Sequence, residues 1–385
     1  MTRFRPLLAT VFAGLVALGV ARDFVHREAT GIDFHTYLAA ALVGMRQGWS
    51  RIYDEGPVAA MQQQLDAHVA TQPFLSTPPM ALLVAPFAGL PYPVAYYAWG
   101  AITLAAFTAA LAWSSRYRGP ARWLATAAAI VPWWVIHAIH VGQVAPLIAA
   151  AVLVAWRLLR EDRQVAAGLV LLLLLLKPNT APLVPVALLF TRRFRAFGVW
   201  AGASGLVAIV SVLMLGPHGV TAYTTDLTHL PANAVIGASQ LTVGTAFELS
   251  NAVALAVRVA ILAVTLGAMY RYRQETGMAI AVAACGSLLI ITYLHGSDLC
   301  LFLAAGWIVW NERPQPEWRA VLAGIWVLST PLLDGSAMAP ALNRWVICEL
   351  VVLAAFAVDA FGPVAAGRYR KVLTGWAASR WRAPA

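Results

Sequence analysis

Charge is what this chain has least of. Only 11% of its 385 residues are Asp, Glu, Lys or Arg, and just 17 are acidic. Hydrophobic residues make up 61%, and the mean hydropathy is +0.71. That is more apolar surface than a soluble fold of this length can hide. Period-2 alternation is also missing, which excludes a β-barrel and leaves helices as the means of crossing a bilayer. Cysteine is scarce. Cys285, Cys300 and Cys348 lie in or at the ends of apolar runs without paired spacing, so they read as small core residues and not as a disulfide or metal set. No Walker loop, dinucleotide fingerprint, zinc-protease motif or nucleophile elbow occurs, and no long-period repeat is evident.

What is present is a succession of apolar runs. The expected fold class is all-α, a polytopic integral membrane protein of one domain over residues 1–385. Spans are expected at 6–22, 93–113, 121–138, 144–159, 164–178, 181–191, 197–215, 250–270, 277–294, 298–311, 318–334 and 342–361, about 12 in all. The first run follows Arg3 and Arg5 and has signal-peptide length, but the many later spans favour an uncleaved first crossing. Residues 77–91 carry Pro78-Pro79 and Pro91-Tyr92-Pro93 and read as a re-entrant or surface-lying segment. With that choice, 20 of the 27 basic residues fall on the cytoplasmic side. They include Arg116, Arg118 and Arg122, Arg192, Arg193 and Arg195, and a basic tail over 362–385. The net charge of +10 thus reads as membrane orientation, with no nucleic-acid partner.

The same topology gathers the unusual polar residues on the extracytoplasmic face. The first loop, 23–76, shows helical spacing over Phe34–Gly48 and Val58–Val69, expected to be amphipathic helices on the membrane surface, with the interfacial turn Trp49–Asp54 between them. Asp33, in Gly31-Ile32-Asp33-Phe34-His35-Thr36-Tyr37, sits where a carboxylate can take a proton from an attacking hydroxyl; otherwise it caps a helix starting near Tyr37. His295 and Asp298 share a helical face, so His295 can donate to a phosphate while Asp298 holds its tautomer. His137 and His140 have the same spacing and precede Gly142-Gln143. They suggest a metal face, but with no third or fourth ligand in view they read as donors to a polar head group or as anchors after Trp133-Trp134. Lys177 closes a leucine run, where it either snorkels or neutralises a phosphate. Arg258, inside an expected span, and Arg344 are further cations. The 216–249 loop, with Pro217-His218, His229, Pro231, Asn233, Ser239 and Gln240, is long enough to cap a cavity.

Read in order, these features resemble a family. They are the acidic residue after the first span (Asp33), Ile52-Tyr53-Asp54, the stretch from Phe74 to Pro79, Gly142-Gln143, Lys177-Pro178 with Arg192-Arg193 after it, and His295 to Asp298. The ordered set is similar to glycosyltransferase family 87, within the membrane-embedded GT-C class, and resembles its polyprenyl-phosphate-mannose-dependent α-mannosyltransferases. The resemblance implies a GT-C-like fold in the bacterial plasma membrane. It implies inverting transfer of a hexose, mannose by preference, from a polyprenyl-phosphate donor to a hydroxyl of a lipid-linked or surface glycan. Asp33 is then the expected general base. His295, Asp298, Lys177, Gln143, His140, His35, Arg258, Arg344 and Gln240 are the expected contacts to donor phosphate or acceptor. The late motif here is Leu294-His295-Gly296-Ser297-Asp298, not the denser aromatic-Asp-His form of some relatives. No cofactor is expected and no metal cluster is read, although a divalent ion is compatible with the class. The alternative is a transporter or flippase of a lipid-linked sugar, which suits helices broken at Pro86 and Pro178.

Overall fold

The computed structural model describes residues 5–25, 30–229, 240–333 and 342–362, and those residues form helices and turns with no strand. In chain order the helices are α1 (Arg5–Asp23), α2 (Ile32–Gln47), α3 (Glu55–Leu65), α4 (Pro78–Val84), α5 (Tyr92–Ser114), α6 (Gly119–Ala129), α7 (Trp133–His140), α8 (Ala145–Arg160), α9 (Gln164–Val170), α10 (Val184–Phe190) and α11 (Phe194–His229). They continue as α12 (Val243–Ala246), α13 (Asn251–Arg271), α14 (Thr276–Ile290), α15 (Leu299–Glu312), α16 (Pro316–Leu328) and α17 (Leu342–Phe361).

Every run expected to cross the membrane is helical over at least part of its length, but the runs are not alike. Among the described residues, four helices are long and apolar enough to cross alone: Pro6–Asp23, Tyr92–Ser114, Phe194–Thr228 and Asn251–Arg271. The expected span 121–138 is instead two helices, Gly119–Ala129 and Trp133–His140, bent by 70°. Pro132 at the break leaves the preceding residue outside helical geometry. The run 164–178 begins as α9 and tightens into a 3₁₀ stretch over Leu171–Leu176.

The core lies where small residues let helices approach. All residues of α14 from Gly277 to Leu289 are buried, and the helix packs on α10, α13 and α15. A Cβ at Gly286 would come within 2.4 Å of the Thr265 side chain on α13, so glycine is what permits that contact. α8 fills the other half of the core between α5, α9 and α15. α11 is the opposite case: Leu206 and Leu213 on it are 63% and 76% exposed, as suits a face turned to lipid.

Two expectations about the loops change. α2 does not lie on a surface: Phe34 to Gly44 are all buried, and the helix packs among α3, α4 and α5. Its spacing is amphipathic only on paper, because the alanines on its second face are covered too. The 216–249 segment is not a loop at its start. α11 continues to His229 past a break at Gly216 (φ 61°, ψ −176°), and that second half packs against Trp49–Arg51, with Tyr223 4.6 Å from Tyr53 and His218 Nε2 2.8 Å from Asp54 Oδ1. Pro217 follows the break, in the first turn of the resumed helix where a proline is tolerated. Residues 77–91 hold α4 and a 3₁₀ turn over Ala85–Gly89, too short to cross ~30 Å of hydrocarbon. Pro231, Asn233, Ser239, Asp334, Gly335 and the basic tail beyond 362 lie outside the described residues.

Candidate active site

The site is built by docking one helix start onto one helix end. α7 finishes in a Schellman motif: Gly142 N–H donates to Ile139 O (3.1 Å) and Gln143 N–H to Ala138 O (2.8 Å), with Gly142 at φ +73°. The carbonyls this leaves over are taken by α2. Gly31 N–H donates to His140 O (2.7 Å) and Asp33 N–H to Val141 O (2.9 Å). The free N–H groups of one helix thus meet the free C=O groups of another. Tyr96 Oη and Trp99 Nε1 add bonds to His140 O and Gly142 O.

This docking aims Asp33. α2 begins at Ile32, two residues before the expected Phe34–Gly48 stretch, so Asp33 lies in its first turn and does not cap it; the N-cap is Gly31 at φ 72°. The half-buried carboxylate accepts one bond from Gln72 Nε2 (3.0 Å) and one from Gln143 Nε2 (3.1 Å). Gln143 is itself fixed, since its Oε1 accepts from Tyr37 Oη (2.5 Å) and from Val144 N–H (3.0 Å). Gln72 is held by Gln62 in a reciprocal pair of bonds at 3.0 and 2.8 Å. Both donors are neutral amides, and no cation is in contact with Asp33 among the described residues. Burial therefore raises its carboxyl above the ordinary value of 3.8, with Lys177 pulling the other way from farther off.

The second part of the site is a buried ion pair. Lys177 Nζ lies 2.7 and 2.8 Å from the two oxygens of Asp298, and Thr180 Oγ1 donates to the same carboxylate at 3.3 Å. Here the expected role of Asp298 changes. It accepts from the backbone N–H of His295 (3.0 Å) and from Lys177, so it does not hold the imidazole tautomer. Lys177 does not snorkel: it is 7% exposed, because the 3₁₀ run before it turns its side chain inward. His295 stands edge-on to Tyr293 at 4.7 Å, and Asn179 anchors the Tyr293 carbonyl. Burial, with Lys177 nearby, lowers the His295 imidazole to about 4, so at neutral pH it is a neutral donor and acceptor. Asp33, Lys177, Asp298, Tyr293 and His295 are close enough to perturb one another electrostatically.

The other expected contacts fall elsewhere. His35 is fully buried and donates from Nε2 to Gln62 O (2.7 Å), behind the glutamine pair that holds Asp33. His140 is fully buried beside Asp23. Arg258 lies near Gly244, and Arg344 sits over the ring of its neighbour Trp345. Gln240 is buried next to Leu241, whose N–H donates to Leu294 O beside His295. The sequence reading missed Gln72, Tyr293 and Glu349. Neither Gln72 nor Tyr293 carries a local signal. Glu349 does: it is a carboxylate inside an apolar run, 1% exposed, with neither oxygen hydrogen-bonded among the described residues.

A family model, that of glycosyltransferase family 87, matches residues 74–333. The match takes in Gln143, Lys177 and the 295–298 motif and begins downstream of Asp33. No curated protein and no solved structure matches the chain.

Proposed function

Because the chain belongs to glycosyltransferase family 87, we propose that this membrane glycosyltransferase moves a hexose, mannose by preference, from a polyprenyl-phosphate donor to a hydroxyl of a lipid-linked or cell-surface glycan. Transfer takes place on the extracytoplasmic side of a bacterial plasma membrane and inverts the anomeric centre. The observation that carries this reading is the half-open carboxylate of Asp33, held by two neutral amides and raised above its ordinary pKa by burial.

The chemistry follows from those partners. The acceptor hydroxyl hydrogen-bonds to Asp33 and attacks the anomeric carbon from the face opposite the phosphate. The new C–O bond forms as the bond to the phosphate oxygen breaks, and the phosphate leaves with the electron pair. The hydroxyl proton passes to Asp33, a transfer of the kind that contributes about 10²–10⁴-fold. Gln72 and Gln143 orient the carboxylate without neutralising it, which keeps it basic. A neutral His295 donates one N–H to the departing phosphate. Lys177 contributes its field and not a contact, since Asp298 occupies it. The prenyl chain comes from the bilayer, in keeping with the apolar segments around the site.

The test is transfer of labelled sugar from polyprenyl-phosphate mannose in membranes holding the wild type or Asp33→Asn at matched expression. Wild-type transfer that the variant loses, with donor binding retained, is the expected result. Equal transfer by both removes Asp33 from the reaction. A wild type that scrambles the lipid-linked sugar across vesicles without transferring it replaces this reading with a flippase.

A further inference from the structure

Beside the proposed site, the ends of α1 and α7 assemble a polar cluster that the transfer does not use. Asp23, the last residue of α1, is 2% exposed, and His137 and His140 occupy one face of α7. His140 Nδ1 stands 2.6 Å from Asp23 Oδ2, and His137 Nδ1 stands 3.3 Å from the same oxygen. One ligand atom from each of the three residues can be chosen so that all lie within 4.8 Å of one another. Two histidines three residues apart looked short of a partner in the sequence; folding supplies one from 114 residues away.

A plain ion pair does not account for the geometry at His140. That residue is fully buried, and its Nδ1 stands 2.6 Å from Asp23 Oδ2 without a hydrogen-bond partner of good geometry. Its other nitrogen, Nε2, lies 2.9 Å from Thr30 Oγ1. In the tautomer that gives its Nε2 proton to Thr30 Oγ1, Nδ1 turns a lone pair towards a carboxylate oxygen. Two electron-rich atoms facing each other in a buried space call for a cation between them. Fixing the tautomer through the remote nitrogen is also how metal-binding histidines are oriented.

We propose that Asp23, His137 and His140 bind a divalent transition-metal ion, zinc being the best match. Two imidazole nitrogens with one carboxylate oxygen suit zinc, whereas magnesium and calcium prefer oxygen throughout. For bonds of about 2.0–2.1 Å, tetrahedral ligand atoms stand roughly 3.3 Å apart, which the His137–Asp23 pair already meets. The His140–Asp23 pair must open by less than ~1 Å to meet it too. Three protein ligands leave the fourth position to water. The ion is a clamp. It fastens the end of α1 to α7, whose next residues dock the helix bearing Asp33 and carry its donor Gln143. The His137 ring also borders Gly296, where an added Cβ would stand 3.8 Å from its Cδ2, so the clamp touches the 295–298 turn as well.

The full chain, purified in detergent with a histidine-free tag and no chelator, is analysed for metals by plasma mass spectrometry. About one zinc per chain is expected, and less than a tenth of that in Asp23→Asn and in His140→Gln. Chelator-treated wild type is then titrated with Co²⁺. Visible d–d absorption of tetrahedral intensity, together with a melting temperature that falls with chelator and returns with zinc, supports the site. This titration decides the matter even if a variant fails to fold. Wild type without stoichiometric metal that also gives no visible cobalt spectrum reduces the cluster to an Asp–His pair and overturns the proposal. Metal content is read without sugar transfer, so the clamp and the proposed activity stand or fall separately.

Discussion

Asp33 and Asp298 are two carboxylates of one site with opposite partners. Asp33 faces two amides and part of its surface is open; Asp298 is fully buried and gripped by an ammonium, a hydroxyl and a backbone N–H. An amide orients a carboxylate but leaves its charge available, so burial can raise its affinity for a proton. An ammonium instead locks the carboxylate into a buried ion pair. Neutral amides hold the carboxylate that burial raises, and an ammonium holds the one locked in an ion pair.

The largest effect belongs to Asp33→Asn, expected to lower transfer by about 10²–10⁴-fold while leaving the melting temperature unchanged or higher. The sign follows from the raised pKa. Folding favours the protonated carboxyl, so the charged form costs stability as pH rises through the folded value, and the amide removes that cost. Stability is where Lys177→Met should tell. It strands a buried carboxylate and should destabilise by about 3–5 kcal/mol, seen as a lowered detergent melting temperature, and adding Asp298→Asn should recover most of the loss. Next comes Gln143→Leu, which removes a bond to a charged acceptor worth about 1.5–3 kcal/mol. Asp33 then holds its proton more tightly, so the acid limb of the pH–rate profile should move up by roughly one to two pH units. If the limb stays put, Asp33 is not the group it reports. The smallest change is Gly142→Ala. At φ +73°, with its Cβ 2.6 Å from that of Phe34, it should cost about 1–3 kcal/mol of stability and shift the position of Asp33.

The helices were legible because a bilayer imposes them, and each apolar run is helical over at least part of its expected length. Their number as crossings was less so. Hydropathy cannot see that Pro132 bends one run by 70° or that six leucines wind as a 3₁₀ stretch before Lys177. Asp33 stood out by position, and Gly142-Gln143 stood out as a pair whose roles only the fold explains: glycine ends the helix and glutamine, turned back by that ending, reaches Asp33. Gln72 was invisible, since a glutamine in a loop has no pattern. His35 misled through proximity. Two positions after Asp33 on a helix, it points to another side, towards Gln62. Asp298 misled because its spacing to His295 was taken as a side-chain pairing, while its partner Lys177 comes from a bend 121 residues earlier.

The bond from Gln143 to Asp33 joins residues 110 apart in the chain. At about 5–20 residues per second of synthesis, elongation alone keeps them apart for roughly 5–20 s. During that interval α1 and α2 exist without the helix end that receives them. The buried alanines of α2 and the Asp33 carboxylate must wait in an unfinished environment until α7 arrives. The first loop is then among the earliest parts made and among the later ones to settle, and quality control during insertion has its longest opportunity to act on the segment that carries Asp33.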